Sequence, residues 1–304
     1  MIGAADESAN RCMLDMNEAE PTIAATGPDF LCVGAQKAGT GWLYEQLRPH
    51  PDFWMPPLKE LHYFDRLWRS QRAIAKAEGR VANARKAAHD KRDLLFLELM
   101  ESLSERADMN LNKYAELFSP KGSLLSGDIT PGYSTLGDEI IEPIVRQFPG
   151  AKIFFLARDP VERAWSHLSM WVRHGSIEPF DSNDLDQITR HLLRPEVQVR
   201  SYPSQIVARW RRHVDSKLFR IYFFDDLKRD AAELRRSIIL FLGGDPEKSS
   251  GDLAFGHNSK ARLEKLELTD KVRSHLARFF KEELKACADE LGGPAREWPS
   301  RYGF

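Results

Sequence analysis

From Asp29 onward the chain alternates short apolar runs with amphipathic stretches, the pattern of strands crossing to helices in a parallel sheet. Four runs predict strands: Phe30 to Gly34 (FLCVG), Leu124 to Ile129 (LLSGDI), Lys152 to Ala157 (KIFFLA) and Leu218 to Phe224 (LFRIYFF). Helical spacing follows at Thr40 to Leu47, at Asp138 to Phe148, and at Pro160 to Val172, where proline occupies the first helical position. Asp225 is placed to cap a helix running to Leu242, and Thr269 to cap a C-terminal one. In that last stretch Val272, Leu276, Phe280, Leu284, Cys287 and Leu291 recur every three or four residues, a stripe that reads as core packing.

Two segments depart from the alternation. Residues 1–28 carry little periodicity and end in the breakers Gly27 and Pro28, which predicts a flexible arm. Residues 66–92 hold nine Lys/Arg against Glu78 and Asp90, with seven alanines, which predicts a solvated basic helix. This gives an α/β class with a central parallel sheet: one domain over 29–304, carrying a basic helical insertion at about 66–110. A solvent-facing helix, a guide for an anionic acceptor and a contact between copies in a homo-oligomer are the roles open to the insertion.

Composition narrows the function classes. The 304 residues are 42% hydrophobic and 29% charged, a globular mixture that excludes collagen-like and wholly disordered chains. Lys and Arg number 44 against 45 Asp and Glu, so the total charge of −1 offers no bulk attraction to nucleic acid. No apolar run approaches the ~20 residues of a membrane span. Cys12, Cys32 and Cys287 have neither disulfide-framework nor zinc-site spacing, and the N-terminus lacks the pattern of a secretory signal. A cytoplasmic placement is therefore expected.

The sharpest chemical signal follows the first strand: Gly34-Ala-Gln-Lys37-Ala38-Gly39-Thr40-Gly41-Trp42, just ahead of an amphipathic helix. Small residues let the backbone approach a ligand, and the unpaired N–H groups of a helix start point at an anion. The interval from Gly34 to Gly39 equals that of the nucleotide-binding pattern G-x-x-x-x-G-K-[ST], yet Thr40 stands where that pattern has its lysine, and Lys37 lies within the loop. A loop without the lysine-hydroxyl pair suits a shorter, metal-independent phosphate chain.

A second constellation is Phe154-Phe-Leu-Ala-Arg158-Asp-Pro160-Val-Glu-Arg163-Ala-Trp-Ser166. Arg158 ends a predicted strand, where open α/β sheets bind ligands. Ser166 lies two turns into the next helix, and a guanidinium with a hydroxyl there suits a second phosphate.

Together these motifs resemble the sulfotransferases that use 3′-phosphoadenosine 5′-phosphosulfate, PAPS. GAQKAGTGWL is similar to their 5′-phosphosulfate loop and FFLARDPVERAWSHL to their 3′-phosphate segment, with Arg158 and Ser166 at the matching positions. Lys59-Glu60-Leu-His62-Tyr63-Phe64-Asp65 resembles a stretch of the heparan sulfate sulfotransferase branch, and Gly127-Asp-Ile-Thr-Pro131-Gly-Tyr133 and Phe223-Phe-Asp-Asp226-Leu227 extend the likeness. The resemblance implies a P-loop nucleotide-kinase-like three-layer fold and transfer of a sulfuryl group from PAPS to a hydroxyl, less readily an amine, of a glycan, lipid or small metabolite, leaving 3′-phosphoadenosine 5′-phosphate, PAP. It implies Lys37 beside the leaving group and Glu60 as proton acceptor, with no metal.

Other readings stand beside these. Glu60 also has Lys59 and Lys37 as ion-pair partners, and His62 is a second base. Lys59, His62, Asp65, Tyr133 and Tyr202 are weak acceptor contacts, Tyr133 and Tyr202 reading equally as packing. The family's late lysine-glycine pair has no counterpart; Lys260, with Arg262 as competitor, stands nearest within Gly256-His-Asn-Ser-Lys260-Ala-Arg262. A P-loop ATP-dependent phosphotransferase and a non-catalytic nucleotide-binding module are the alternative functions.

Overall fold

The computed structural model describes residues 27–65, 79–86, 88, 90–103, 109–248 and 266–304. Residues 1–26 of the expected arm, 66–78 of the expected insertion, and Lys260 and Arg262 lie outside the described residues. Gly27 and Pro28 are buried, and the Gly27 carbonyl accepts a hydrogen bond from Lys121 Nζ at 2.8 Å.

Four parallel strands, β1 (Phe30–Cys32), β2 (Gly127–Ile129), β3 (Lys152–Ala157) and β4 (Phe219–Phe223), form one sheet in the order β2-β1-β3-β4. Parallel strands covered on both faces read as continuous apolar runs, and β1 and β3 behave so, with Phe30, Leu31, Phe154, Phe155 and Leu156 buried. Each such side chain contributes about 1.5–3 kcal/mol by leaving water. The chain passes from β1 to β2 on one side, then crosses back to β3 on the other. This reversal places a crevice at the carboxyl ends of β1 and β3, the usual ligand position in an open α/β sheet.

Helices flank the sheet. In chain order they are α1 (Thr40–Leu47), α2 (Lys91–Leu103), α3 (Leu111–Glu116), α4 (Asp138–Gln147) and α5 (Pro160–Arg173). After these come α6 (Leu185–Leu192), α7 (Pro195–Gln198) and α8 (Pro203–Arg211). The last four are α9 (Phe224–Arg229), α10 (Ala231–Leu242), α11 (Asp270–Phe279) and α12 (Lys281–Leu291). Within the expected insertion, residues 79–86 are helical as well. Among the described residues no helix is long and apolar enough to cross a membrane.

Two helices read as continuous are broken. The stretch to Leu242 divides at Asp230, whose extended backbone lets its carboxylate accept from Glu233 N and start α10 afresh; Asp225 lies inside α9. The C-terminal helix, capped by Thr269 as expected, divides at Phe280.

The segment between α1 and the insertion lies along the far edge of β2. Trp54 N donates to the Leu125 carbonyl and Leu125 N to the Asp52 carbonyl, both at 2.9 Å. Trp54 Nε1 donates to Asp93 of α2 at 3.0 Å, and Tyr44 of α1 donates to the Pro56 carbonyl at 2.7 Å. These bonds deliver residues 59–65 to the carboxyl end of β2.

Candidate active site

The first strand-helix turn is shaped by backbone conformations that few side chains tolerate. Gly39 is the N-cap of α1 at φ 98°, and a Cβ there would come within 2.8 Å of Leu227. No side chain among the described residues caps α1, and its first turn carries no acidic residue. Its leading N–H groups therefore face outward from a helix start with positive potential. Lys37 has φ 72°, a left-handed conformation for a side-chain-bearing residue, of the kind that concentrates at functional sites. Ala38, Thr40 and Trp42 are buried, while Gly41 is exposed.

Arg158 ties the second motif to this turn. Its Nη1 donates to the Lys37 carbonyl at 2.8 Å across 121 residues of sequence. Its Nη2 donates to Glu162 at 3.1 Å, and the guanidinium lies 4.3 Å from the centre of the Phe224 ring in α9. Glu162 also accepts from Lys228 at 2.8 Å; burial pushes its carboxyl up, but the two cations outweigh this and hold it below the usual range. Ser166 is half-buried one helix face further along α5.

Asp159, next to Arg158, caps α5 by accepting from Val161 N at 2.9 Å. The C-terminal segment clasps this cap: Tyr302 donates to Asp159 at 2.7 Å, while Arg301 at 2.6 Å and Trp298 at 3.3 Å reach Asp225 of α9. Burial raises the Asp159 carboxyl to about 6. Nothing in the sequence motifs announces this clasp, because its partners lie 73 to 143 residues apart in the chain.

The carboxylate segment is held just beyond β2. Glu60 and His62 both have left-handed backbones, at φ 64° and 57°. Glu60 pairs with Lys59, and its Oε2 lies 3.4 Å from His62 Nε2. His62 Nδ1 donates to Asp65 at 2.9 Å. Burial lowers the His62 imidazole, but the hydrogen bonds it donates to Asp65 and Glu60 outweigh this, so its net shift is upward and its charged form is favoured. Burial raises Glu60, whereas the His62 contact and the Lys59 ammonium overcome that and bring it to about 2. Glu60 is thus ionised through the neutral range. Of its two expected lysine partners, Lys59 is in place.

A buried carboxylate beneath the segment explains its shape. Asp128 of β2 accepts from Thr130 Oγ1 and Tyr133 OH at 2.6 Å and from Tyr114 OH at 3.1 Å, with Leu61 N at 3.5 Å. Tyr133 OH also accepts from Tyr63 N at 3.1 Å, and Thr130 Oγ1 from His62 N at 3.4 Å. Burial raises the Asp128 carboxyl, and the three hydroxyl donors offset part of the rise. Gly132 leaves room for the pair above it, since a Cβ there would lie 2.0 Å from Asp65 Oδ2. From the other side Arg80 of the insertion donates to the carbonyls of Lys59 and of Glu60, the latter at 2.8 Å.

Several expected acceptor contacts are therefore placed differently. Tyr133 is fully buried and supports the segment from below, and the side chain of Asp65 is covered where it meets His62. Tyr202 precedes α8, where its hydroxyl donates to Gln198 at 3.2 Å and its ring meets Phe280 edge-on. Lys59 and Glu60 keep part of their side chains in solvent. Asp128, Arg163 and His167 lie within the quoted motifs but were given no role there, and Arg80 lies outside them; charged residues on the apolar face of α5 were the available signal for Arg163 and His167.

The three motifs thus converge on the carboxyl ends of β2, β1 and β3, and comparison with known proteins bears on the family and the fold. A model of the sulfotransferase family matches residues 28–247. No curated protein matches the sequence. Among solved structures, a sulfotransferase from Alicyclobacillus acidocaldarius is 21% identical with a TM-score of 0.62, covering 89% of this chain and 98% of that one. Mouse sulfotransferase SULT7A1 complexed with PAP is 16% identical with a TM-score of 0.51, covering 90% and 88%. At these identities the structures speak for the P-loop-like α/β fold, while the family match, spanning well over half the sequence, decides membership: the chain belongs to the sulfotransferase family.

Proposed function

We propose that this protein transfers the sulfuryl group of PAPS to a hydroxyl oxygen of an acceptor. The observation that carries the reading is the 2.8 Å bond from Arg158 to the Lys37 carbonyl, which joins two phosphate-type motifs into one cradle beside an ionised carboxylate. PAPS, when bound, supplies an activated sulfuryl group on a 5′-phosphate leaving group. The uncapped start of α1 and Lys37 hold the 5′ end and stabilise the charge that develops on the leaving oxygen. Arg158 and Ser166 hold the 3′-phosphate, and Lys260 is the proposed late cation.

Glu60 takes the acceptor's hydroxyl proton. The His62–Asp65 pair keeps the carboxylate oriented and ionised, so its limitation is basicity rather than availability. Lys59, with its ammonium on Glu60, is the nearest proposed acceptor contact. An ATP-dependent phosphotransferase is disfavoured because Thr40 stands where such a loop has its lysine.

The test is a thermal-shift comparison of PAP with ATP and Mg²⁺. Stabilisation by PAP that exceeds that by ATP supports the reading; stabilisation by ATP alone overturns it.

A further inference from the structure

Helix α5 buries two basic side chains that the proposed reaction does not use, Arg163 and His167, one helical turn apart. Arg163 is fully buried. Its Nη2 donates to Ser201 Oγ at 2.7 Å, and Ser201 donates onward to the Val197 carbonyl at 2.7 Å. Arg163 Nε and Nη1 and His167 Nδ1 have no hydrogen-bond partner among the described residues.

Among the described residues the charges bearing on this pair are all of one sign. Burial first, then Arg200 and Arg158, bring Arg163 down to about 9; burial, then Arg163, Arg200 and Lys37, bring His167 to about 3. At neutral pH the imidazole is neutral and the guanidinium charged. Glu162, the carboxylate on the same helix, is engaged by Arg158 and Lys228 instead. A buried cation without a counter-ion is strongly unfavourable, and a chain that keeps one has an anion to place beside it. Ser166, three residues on from Arg163, shares its side of α5 and is half-buried.

We propose that Arg163 is the inner cation of the anion site that Lys37 and Arg158 begin, its counter-ion being a phosphate oxyanion of the bound ligand. Ser201 takes one hydrogen bond of the guanidinium and carries no charge toward the anion, and His167 adds a ring nitrogen with no partner among the described residues. This rests on the PAPS reading for the identity of the ligand, but the site's demand for a phosphate-type anion stands on the buried charge itself.

The experiment uses the full-length protein with inorganic phosphate and PAP as probes, read by thermal unfolding and calorimetry. Wild type is expected to gain stability from phosphate beyond that from chloride at equal ionic strength. Arg163→Met is expected to melt no lower than wild type without ligand, to lose the phosphate effect, and to bind PAP at least about tenfold more weakly. Arg163→Gln, which keeps a donor for Ser201 and removes only the charge, should weaken PAP to the same degree. Ser201→Ala, which removes the hydrogen bond and keeps the charge, should hold PAP affinity within about threefold. Wild-type PAP affinity in Arg163→Gln overturns the proposal, as does a loss in Ser201→Ala equal to that in Arg163→Gln. If wild type responds to phosphate through Arg163 but not to PAP, the PAPS reading fails and the anion site stands.

Discussion

Replacing Asp128 by alanine should loosen the carboxylate segment without disturbing the cradle. The Asp128 side chain is 1% exposed and accepts three hydroxyl protons, at 2.6, 2.6 and 3.1 Å. Alanine leaves Thr130, Tyr133 and Tyr114 to find other partners in a buried space. If two of the three fail, at about 1–3 kcal/mol each, and the lost volume adds about 1 kcal/mol, the total cost is about 3–7 kcal/mol. Asp128→Asn keeps one acceptor oxygen and removes a buried charge, so about 1–2 kcal/mol is expected. Urea unfolding of both variants measures the difference. PAP affinity on the folded protein should stay within about threefold, since Asp128 acts through the Thr130, Tyr133 and Tyr114 hydroxyls beneath the carboxylate segment, while PAPS turnover falls at least about 100-fold as Glu60 loses its support. A stability change under about 1 kcal/mol in Asp128→Ala, or an Asn variant that is worse, refutes the reasoning.

Further outcomes follow from the same geometry. Glu60→Gln should bind PAP normally in calorimetry and lower PAPS turnover by about 100-fold or more. Gly132→Ala forces a methyl to within 2.0 Å of Asp65 Oδ2 and should lower the His62 pKa measured by NMR, because Asp65 is displaced from the imidazole. Asp159 is buried and titrates at about 6 against an ordinary 3.8, so the folded state holds more protons than the unfolded one between these values. Its contribution to stability therefore falls as pH rises through that window, by up to about 3 kcal/mol, and Asp159→Asn should flatten the slope in unfolding curves.

The sheet was legible because strands buried on both faces leave unbroken apolar runs, as at KIFFLA; only their ends moved, β1 closing at Cys32 although Val33 N and Ala35 N still bond to β3 carbonyls. The breaks at Asp230 and Phe280 were hidden by apolar spacing that continues through them. The cradle was legible because its residues are contiguous and small. The relation of Glu60 to His62 was not, since it depends on two left-handed backbones that Asp128, Thr130, Tyr133 and Arg80 impose from positions 20 to 73 residues away. Long-range hydrogen bonding of this kind leaves no local pattern.

The central claim is that the joined cradle reads two separate phosphates on one nucleoside. Calorimetric titration with PAP and with adenosine 5′-phosphate, on wild type and on Arg158→Ala, tests it most directly. The account predicts that PAP binds wild type at least about 30-fold more tightly than adenosine 5′-phosphate, and that Arg158→Ala removes most of this preference. Equal binding of the two nucleotides by wild type, or an unchanged preference in Arg158→Ala, would contradict it.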